Sequence, residues 1–252
     1  MLSTAQIKYV KSLHQKKFRD LHNVFLVEGE KIVGELTSSS LKVEAIFAKQ
    51  SWIDANQLLF DASIPNYTAT NKDMERITNL KTPSAVVAVV RKPPLDDAIE
   101  ISSDKIILAL DTIQDPGNLG TIIRTADWFG IKQVVCSMET AEIYNPKVIQ
   151  ATMGSFARVK TSYLSLSEFI SKKSGETPII GATLQGQSLK DCKPPKGGII
   201  VIGNESKGIS KEILPLLTKE IQIPKATFSE SAESLNASVA AGIIMAWVSD
   251  VI

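Results

Sequence analysis

Residues 106–131 read IILALDTIQDPGNLGTIIRTADWFGI, and this stretch decides the fold of the C-terminal part of the chain. The apolar run from Ile106 to Leu110, closed by Asp111, is typical of a strand buried inside a sheet. A turn-rich segment from Asp115 to Gly120 follows, and it leads into an amphipathic helix of about ten residues. This order predicts a ligand site, because backbone N–H groups at a helix N-terminus face the crevice at the carboxyl end of a parallel strand.

Two polar side chains of this stretch are candidates to act on a ligand. Asn118 falls in the first turn of the predicted helix, and Arg124 lies nearly two turns further along. The turn that contains Asn118 lacks the Gly-x-Gly-x-x-Gly spacing of a Rossmann nucleotide site, and no Gly-Lys-Ser/Thr follows it as in a P-loop. The local spacing therefore predicts a site and leaves its chemistry open, with a purely structural tight turn as the alternative.

The composition is that of an ordinary globular protein. With 252 residues, of which 44% are hydrophobic, the chain can form one large or two modest domains, and its net charge of +1 excludes a histone-like polycation. Two cysteines, Cys136 and Cys192, cannot build a disulfide framework or a Cys-rich zinc site, so we predict no metal. We predict no membrane span either, and charges near the N-terminus where a signal peptide is apolar favour a cytoplasmic protein.

Residues 1–95 predict a small α/β domain. Its expected strands are residues 24–27, 43–47, the vicinity of Tyr67, and 86–90, and its expected helices include residues 54–60 and 73–80. Five basic residues and no acid occur near its start, interleaved with Tyr9, His14 and Phe18; they are Lys8, Lys11, Lys16, Lys17 and Arg19. This pattern indicates either a solvated helix face or an entrance for RNA phosphates and bases.

A proline-containing segment marks the domain boundary. Lys92-Pro93-Pro94-Leu95 and the acidic pair that follows predict a short linker at residues 96–103, because prolines fix an extended backbone. In the second domain, residues 104–252, strands are predicted at 133–137, near 159, and at 178–183, 198–203 and 220–223. Helices are predicted at 145–153, 166–172, 211–217 and 234–251. Strands and helices alternating at this spacing favour a parallel sheet covered on both faces.

Two further loops repeat the pattern of the first. The strand ending at Ile202 leads into Gly203-Asn204-Glu205-Ser206-Lys207-Gly208, and the strand ending at Ile223-Pro224 leads through a polar loop to Glu233-Ser234-Leu235-Asn236. Taken alone, these polar residues could be helix caps and a solvated carboxylate.

The three loops together resemble motifs 1, 2 and 3 of the SpoU-type (TrmH-like) RNA 2′-O-ribose methyltransferases of the SPOUT superfamily. The matching segments are DPGNLGTIIRTADWFG, VIGNESKGIS, and IQIP followed by AESLNASVAAGI. The N-terminal segments KKFRD, FLVEGEK and TPSAVVAVV resemble the ribosomal-protein-L30-like (L30e-like) substrate-binding domain of longer family members.

The resemblance implies an enzyme that transfers the methyl group of S-adenosylmethionine (SAM) to a ribose 2′-hydroxyl. A separate N-terminal domain with a basic entrance favours 23S rRNA as the substrate, and tRNA is the alternative. The resemblance also implies an α/β trefoil-knot domain, a parallel sheet with a knotted C-terminal segment, that pairs into a homodimer and follows a smaller α/β domain. The implied cofactor-binding residues are Thr183, Leu184, Gly203, Ile223, Ser234 and Leu235. The implied catalytic residues are Arg124, Asn118, Glu205 and Asn236, and the implied RNA-binding residues are Lys16, Lys17, Arg19 and Arg124.

Arg124 matches the family arginine proposed to help remove the hydroxyl proton. Because a guanidinium stays protonated, we favour a role in binding phosphate and orienting the hydroxyl, in its own pocket or in that of the partner subunit. Asn118 is expected to hold this arginine or the ribose, while Glu205 and Asn236 organise the pocket.

Two departures and two rival interpretations accompany the resemblance. The loop at residues 225–233 is a few residues longer than in many relatives, and Thr152 stands where many relatives have serine. A catalytically silent RNA-binding protein of the same fold is one rival. A nicotinamide-dependent oxidoreductase is a weaker one, since the glycine fingerprint is missing.

Overall fold

The computed structural model describes residues 1–57, 61–94, 99–175, 177–225 and 233–251 and divides the chain into two compact units. The first unit comprises Met1–Pro94 and Tyr144–Ala157, and the second comprises Leu95–Ile143 and Arg158–Ile252. Three predictions fall partly outside the described residues: the end of the helix at 54–60, the start of the linker at 96–103, and most of the long loop at 225–233.

The first unit has a four-stranded sheet in the order β1-β4-β2-β3. Its strands are β1 (Val24–Glu28), β2 (Val43–Ala48), β3 (Asn66–Thr68) and β4 (Val86–Arg91). Strand β4 runs antiparallel to β1 and β2, whereas β3 runs parallel to β2. The helices along these strands are α1 (Thr4–Ser12), α2 (Lys16–His22), α3 (Glu30–Glu35), α4 (Gln50–Ala55) and α5 (Asn71–Ile77). This arrangement confirms the predicted small α/β domain.

The strands of this sheet are apolar enough to pack on both faces, which gives two separate cores. One core contains the buried side chains of α1 and α5 against Leu26 and Val89. The other contains α3 and α4 against Phe25 and Val27. Helix α5 begins at a capping box in which Thr70 and Asp73 satisfy each other's backbone N–H groups, so the helix starts at Asn71 and not at the predicted residue 73.

A segment from the second half of the chain completes this second core. Helix α7 (Pro146–Thr152) and the 3-10 turn after it bring Ile149 and Phe156 into contact with the core, and the Phe156 ring lies edge-on to Phe25 at 5.8 Å. The Gln150 Nε2 donates to the Glu28 carbonyl oxygen at 2.7 Å. The predicted boundary assigned these residues to the 104–252 domain. The structure places them in the first unit, because their apolar side chains pack on its sheet. Thr152 is buried there, and its hydroxyl donates to the Ile149 carbonyl oxygen.

Glu28, at the end of β1, is a buried acid of the first unit. Its carboxylate accepts a hydrogen bond from the Thr78 hydroxyl. Burial raises the pKa of Glu28 above its ordinary value, against the opposing effects of that hydrogen bond and of nearby His14.

The second unit has a six-stranded, wholly parallel sheet in the order β10-β8-β9-β5-β6-β7. Its strands are β5 (Ile106–Leu110), β6 (Gln133–Cys136), β7 (Lys160–Tyr163), β8 (Ile179–Ser188), β9 (Gly198–Ile202) and β10 (Lys219–Gln222). Its helices are α6 (Pro116–Trp128), α8 (Leu166–Ser171) and α9 (Ala237–Val248). The central strands β5 and β9 are almost entirely buried, so the predicted parallel sheet covered on both faces is confirmed.

Three elements of this unit differ from their predictions. Strand β8 continues to Ser188 instead of ending at Thr183. Of the helix predicted at 211–217 only a 3-10 turn at Leu214–Leu216 forms, since Pro215 lacks the N–H group that an α-helix needs. Helix α9 begins at Ala237, because Asn236 caps it. Along the described stretches, no helix has both the length and the apolar composition that a membrane crossing requires.

Candidate active site

The three motif loops of the second unit follow the carboxyl ends of β5, β9 and β10, three strands of one parallel sheet in which β5 and β9 are neighbours and β8 lies between β9 and β10. Strand β5 is followed by Asp111 and by helix α6, whose N-cap Asp115 accepts the Asn118 N–H at 2.8 Å. Strand β9 is followed by Gly203, and helix α9 begins at its N-cap Asn236. Carboxyl ends of adjacent parallel strands share one edge of the sheet, which is the edge where α/β proteins bind ligands.

A chain of side-chain hydrogen bonds joins one residue from each loop. Asn118 Nδ2 donates to Glu205 Oε1 at 2.7 Å. Asn236 Nδ2 donates to Asn118 Oδ1 at 3.0 Å. The structure therefore brings together three of the four predicted catalytic residues, which the sequence separates by 87 and 118 positions.

The helix cap fixes the direction of these hydrogen bonds. Asn236 Oδ1 accepts from the Ser238 N–H at 2.9 Å and from the Ser238 hydroxyl at 2.6 Å, so the amide nitrogen of Asn236 must face Asn118. Asn118 then has to accept with its oxygen and donate with its nitrogen, and the atom that receives this last N–H is a carboxylate oxygen of Glu205. We call this chain, Asn236 to Asn118 to Glu205, the amide relay.

A buried carboxylate anchors the loop after β9 to the end of β5. Asp111 is 4% exposed; its Oδ2 accepts the Ser210 N–H at 2.7 Å, and its Oδ1 accepts the Thr112 hydroxyl at 3.1 Å. Thr112 has φ of 61°, a left-handed conformation that is uncommon for a β-branched residue. Both of its backbone polar groups are satisfied, by Ser137 Oγ at 3.0 Å and by Asn204 Nδ2 at 2.8 Å. These contacts hold the backbone in its strained conformation.

The loop from Gly203 to Gly208 is a tight turn with room for no side chain at its base. Asn204 and Gly208 exchange two backbone hydrogen bonds, of 3.0 and 2.9 Å. A Cβ atom on Gly203 would lie 2.2 Å from the Gly208 carbonyl carbon and 2.3 Å from the Ile209 nitrogen. A glycine at position 203 therefore lets the two backbone segments of this turn approach closely. The turn presents the partly buried Glu205 to the amide relay.

Arg124, the fourth predicted catalytic residue, lies outside this relay. It is exposed on α6, on the same face as Thr121 and Trp128, and Trp128 is 85% exposed. Within the described part of the chain, no hydrogen bond or ion pair reaches its guanidinium group. Helix α9 packs closely beside it, since a Cβ on Gly242 would lie 3.8 Å from Thr125 Cγ2.

The predicted cofactor residues Thr183 and Leu184 lie within β8, not after it. The pairing of β8 with β10 is interrupted here: Glu220 pairs with Gly181 and Ile221 pairs with Gln187, so the residues between bulge from the ladder. Thr183 Oγ1 donates to Glu220 Oε2 at 2.9 Å. Leu184 is 62% exposed, an unusual position for a leucine on a strand.

The remaining cofactor residues follow the neighbouring strands. Ile223 comes directly after β10 and is half-buried. Ser234 is exposed and Leu235 is 46% exposed, and both immediately precede the cap of α9. Since β10, β8 and β9 are adjacent, the six predicted residues fall at one edge of the sheet or at the helix start beside it.

The structure corrects the predicted RNA-binding set in the first unit. The Arg19 side chain is only 2% exposed, and its Nη1 donates to the Leu13 and His14 carbonyl oxygens at 3.1 and 2.9 Å. It ties α2 to the end of α1 and cannot present its charge to a phosphate. Lys16 is exposed and paired with Asp20 at 2.6 Å, and Lys17 is exposed beside the Phe18 ring.

Sequence reasoning missed the residues that support the loops, namely Asp111, Thr112, Asn204 and Ser210. The only local signal was an acidic residue ending a buried strand, which carries no information about its partner. In the ranges that the structure covers, no cluster of three or more His, Cys, Asp or Glu side chains could hold a metal ion. Burial raises the pKa of Cys136, so this thiol is a core residue and not a nucleophile.

Models of two protein families match the chain. The SpoU rRNA Methylase family matches residues 105–246, and the MRM3-like substrate binding domain matches residues 4–88. A curated relative, the 23S rRNA (guanosine(2553)-2′-O)-methyltransferase RlmP of Bacillus subtilis (strain 168), is 30% identical over 95% of this chain and 94% of its own length.

Solved structures agree with this match. A TrmH-family protein from Porphyromonas gingivalis is 34% identical, with a TM-score of 0.86 over 98% of both chains. The AdoMet-bound rRNA methyltransferase from Sinorhizobium meliloti is 28% identical, with a TM-score of 0.84 over 98% of this chain and 95% of that one. The resemblance inferred from the three motifs is confirmed. The chain belongs to the SpoU rRNA Methylase family and is an S-adenosylmethionine-dependent RNA methyltransferase.

Proposed function

We propose that this enzyme methylates a ribose 2′-hydroxyl of 23S rRNA. The observation that carries the proposal is the amide relay, which joins the three motif loops at the carboxyl edge of the parallel sheet. The name of the Bacillus subtilis relative, a 2′-O-methyltransferase of 23S rRNA that aligns with 95% of this chain, supports the choice of atom and of RNA.

We propose that the cofactor is held beside the bulge of β8 and at the ends of β9 and β10. Two features fit this group: exposed leucine side chains at 184 and 235 offer apolar surface to an aromatic base, and the turn at Gly203 exposes backbone where no side chain fits. The bound SAM supplies an electrophilic methyl group. Thr183, Ile223 and Ser234 complete the proposed pocket, and the knotted path of the C-terminal segment stays part of this proposal.

The reaction needs a hydroxyl held in line with the methyl group and a means of removing its proton. Arg124 is suited to the first task, because a permanently charged planar guanidinium binds phosphate in a defined orientation. Its exposed position on α6, with no partner among the described residues, leaves that charge available to RNA.

We further propose that a second copy of the chain covers the face that carries Arg124. This face combines the charge of Arg124 with two exposed apolar side chains, Trp128 at 85% and Val239 of the neighbouring α9 at 50%. Aromatic residues such as tryptophan are enriched at surfaces that another protein covers. In such a homodimer Arg124 would act beside the amide relay of the partner subunit.

The first unit is proposed to bind the RNA substrate outside the catalytic pocket. Its match to a substrate-binding domain and the exposed Lys8, Lys11, Lys16 and Lys17 support this role. Arg19 is no longer part of the proposed surface. We also propose, from composition alone, that the protein works in the cytoplasm.

The test is transfer of radiolabelled methyl from SAM to purified 23S rRNA, 16S rRNA and tRNA, followed by nucleoside analysis. We expect label in a 2′-O-methyl nucleoside of 23S rRNA, and loss of that label with Arg124→Ala. The matched control is Lys105→Ala, which removes an exposed cation just before β5 and therefore at the opposite edge of the sheet. Label in tRNA alone would show that tRNA, and not 23S rRNA, is the substrate. Binding of RNA with no transfer would favour the catalytically silent alternative.

The homodimer has its own test, which mixes two inactive variants. Arg124→Ala and Glu205→Gln chains are combined so that heterodimers form. If Arg124 serves the partner's pocket, one site of each heterodimer keeps both residues and activity returns. If each chain uses its own Arg124, the mixture stays inactive, and the proposal that the arginine acts across the interface is wrong.

A further inference from the structure

We propose that Glu205 accepts the proton of the 2′-hydroxyl, and that Asn118 and Asn236 are positioning residues that hold its carboxylate for this step. The inference rests on the proposed function, since it requires the methylated atom to be a ribose oxygen. It assigns to a motif 2 carboxylate the proton removal that the resemblance assigned to Arg124.

The transfer needs a proton acceptor for its charges to balance. A bond forms between the ribose oxygen and the methyl carbon, while the bond from that carbon to the sulfonium sulfur breaks and leaves its electron pair on sulfur. The oxygen would carry a positive charge unless its proton leaves. In this proposal that proton moves to Oε2 of Glu205, which then bears a neutral carboxylic acid until solvent removes the proton.

The amide relay leaves one oxygen of Glu205 available. Glu205 Oε1 accepts a hydrogen bond from the side-chain amide nitrogen of Asn118, Nδ2, at 2.7 Å. In the described parts of the chain no hydrogen bond reaches Glu205 Oε2. The relay begins at the helix cap of α9, where Asn236 is fixed by two hydrogen bonds to Ser238. A carboxylate held through one oxygen and open at the other has the geometry that a general base needs.

Three other acidic groups of this edge make contacts outside the amide relay, and of these three Asp111 has both carboxylate oxygens hydrogen-bonded. Asp111 is buried, and each of its oxygens already accepts a hydrogen bond. Asp115 caps α6 by accepting the Asn118 N–H. Glu220 accepts the Thr183 hydroxyl at 2.9 Å and sits on β10. Of these four acids, Glu205 is the one that the amide relay joins to motif 1 directly and to motif 3 through Asn118.

Arg124 is a poor candidate for the same step. A guanidinium has no acceptor lone pair and keeps its proton in proteins, so Arg124 is suited to binding an anion and not to taking up a proton. Its charge can orient the nucleotide through a phosphate while Glu205 accepts the proton. The two residues therefore have separate tasks, and their variants should have different kinetic signatures.

The test is Glu205→Gln, in which the amide oxygen can still accept from Asn118 while the proton-accepting carboxylate is gone. We expect the single-turnover methylation rate on 23S rRNA to fall by about 10²- to 10⁴-fold, the usual contribution of a general base. Calorimetric affinity for SAM and filter-binding affinity for RNA should stay within about twofold of wild type. The control Glu212→Gln removes an exposed carboxylate of the same unit and should leave the rate unchanged.

A pH profile separates proton acceptance from a structural role. If a carboxylate at position 205 takes up the proton, the pH profile of the wild-type rate should contain an acid limb that the residual rate of Glu205→Gln lacks. Glu205→Asp keeps a carboxylate one methylene further away, so it should retain an intermediate rate and the acid limb. The proposal is overturned if Glu205→Gln keeps more than about a tenth of the rate, shares the acid limb, or loses its rate only through lost SAM binding. If wild type labels no ribose, the proposed function fails and this inference fails with it.

Discussion

Replacing Asn236 by Asp separates the two jobs that this side chain performs. In the native structure its oxygen caps α9 and its nitrogen donates to Asn118 Oδ1 at 3.0 Å. Aspartate caps a helix as well as asparagine does, but it has no N–H group to donate. Asn236→Asp should therefore keep the helix and break the amide relay.

The size of the effect follows from the relay. In Asn236→Asp a carboxylate oxygen of residue 236 faces Asn118 Oδ1, and the two oxygens repel each other. The Asn118 amide either tolerates this repulsion or rotates. Rotation turns its oxygen toward Glu205 Oε1, which in the native structure lies 2.7 Å from the Asn118 amide nitrogen. In the rotated state Glu205 loses a hydrogen bond to a charged group, which is worth roughly 1.5–3 kcal/mol. This corresponds to about a ten- to hundredfold loss of the productive carboxylate position, since about 1.4 kcal/mol is a factor of ten. We expect the single-turnover rate to fall by the same factor.

The assay pairs single-turnover methylation at neutral pH with thermal unfolding followed by circular dichroism. Asn236→Asp should melt within about 2 °C of wild type, because the cap is intact. Asn236→Ala loses cap and relay together, so it should melt roughly 2–4 °C lower for the loss of about 1 kcal/mol, with a similar fall in rate. A wild-type rate in Asn236→Asp would refute the reasoning, as would equal destabilisation of the two variants.

Two further predictions concern buried carboxyl groups. Asp111→Ala leaves the Ser210 N–H without its acceptor, which should lower the free energy of unfolding by about 1–3 kcal/mol. Asp111→Asn keeps an acceptor oxygen, so its melting temperature should lie closer to that of wild type. Equal melting temperatures of the two variants would contradict this prediction. Because burial raises the pKa of Glu28, the stability that it contributes is full below the pKa of the unfolded chain and is lost as pH rises through the folded value. Glu28→Gln should therefore melt like wild type near about pH 4 and above wild type near about pH 8, and a difference of the opposite sign would refute it.

Local sequence patterns predicted the elements that build the site. The run from Ile106 to Leu110 is apolar and short, and a proline follows at the first position of α6, so strand, loop and helix form where expected. Most errors occurred at the ends of elements, and one predicted α-helix, at 211–217, forms only a 3-10 turn. Strand β8 continues beyond its apolar residues, because the residues after Gly181 bulge out of the pairing with β10 and the pairing resumes at Gln187.

The amide relay could not be predicted from spacing. Asn118 and Asn236 are 118 positions apart, and nothing in either loop specifies that one amide faces the other. The resemblance to a family supplied the residues, and only the fold supplied the direction of their hydrogen bonds.

Arg19 illustrates the opposite failure. Its charge and its basic neighbours indicated an exposed patch, since charge patterns alone suggest solvent exposure. The prediction could not account for the carbonyl oxygens of Leu13 and His14, which the end of α1 leaves without helical partners and which a guanidinium can satisfy. The Arg19 side chain is buried because it donates to backbone carbonyl oxygens, and these lack helical partners only because α1 ends where it does.

Residues 144–157 belong to the first unit although 49 residues of the second unit precede them in the chain, and this limits the order in which a nascent chain can fold. Residues 1–94 are synthesised first and supply most of the core around Phe25, but the part that Tyr144, Ile149 and Phe156 cover stays open until these residues have left the ribosome. The second core of the first unit is therefore incomplete throughout the synthesis of β5, α6 and β6. Translation speed across residues 95–143 becomes a physical variable for this protein, because it sets how long that apolar surface faces the solvent.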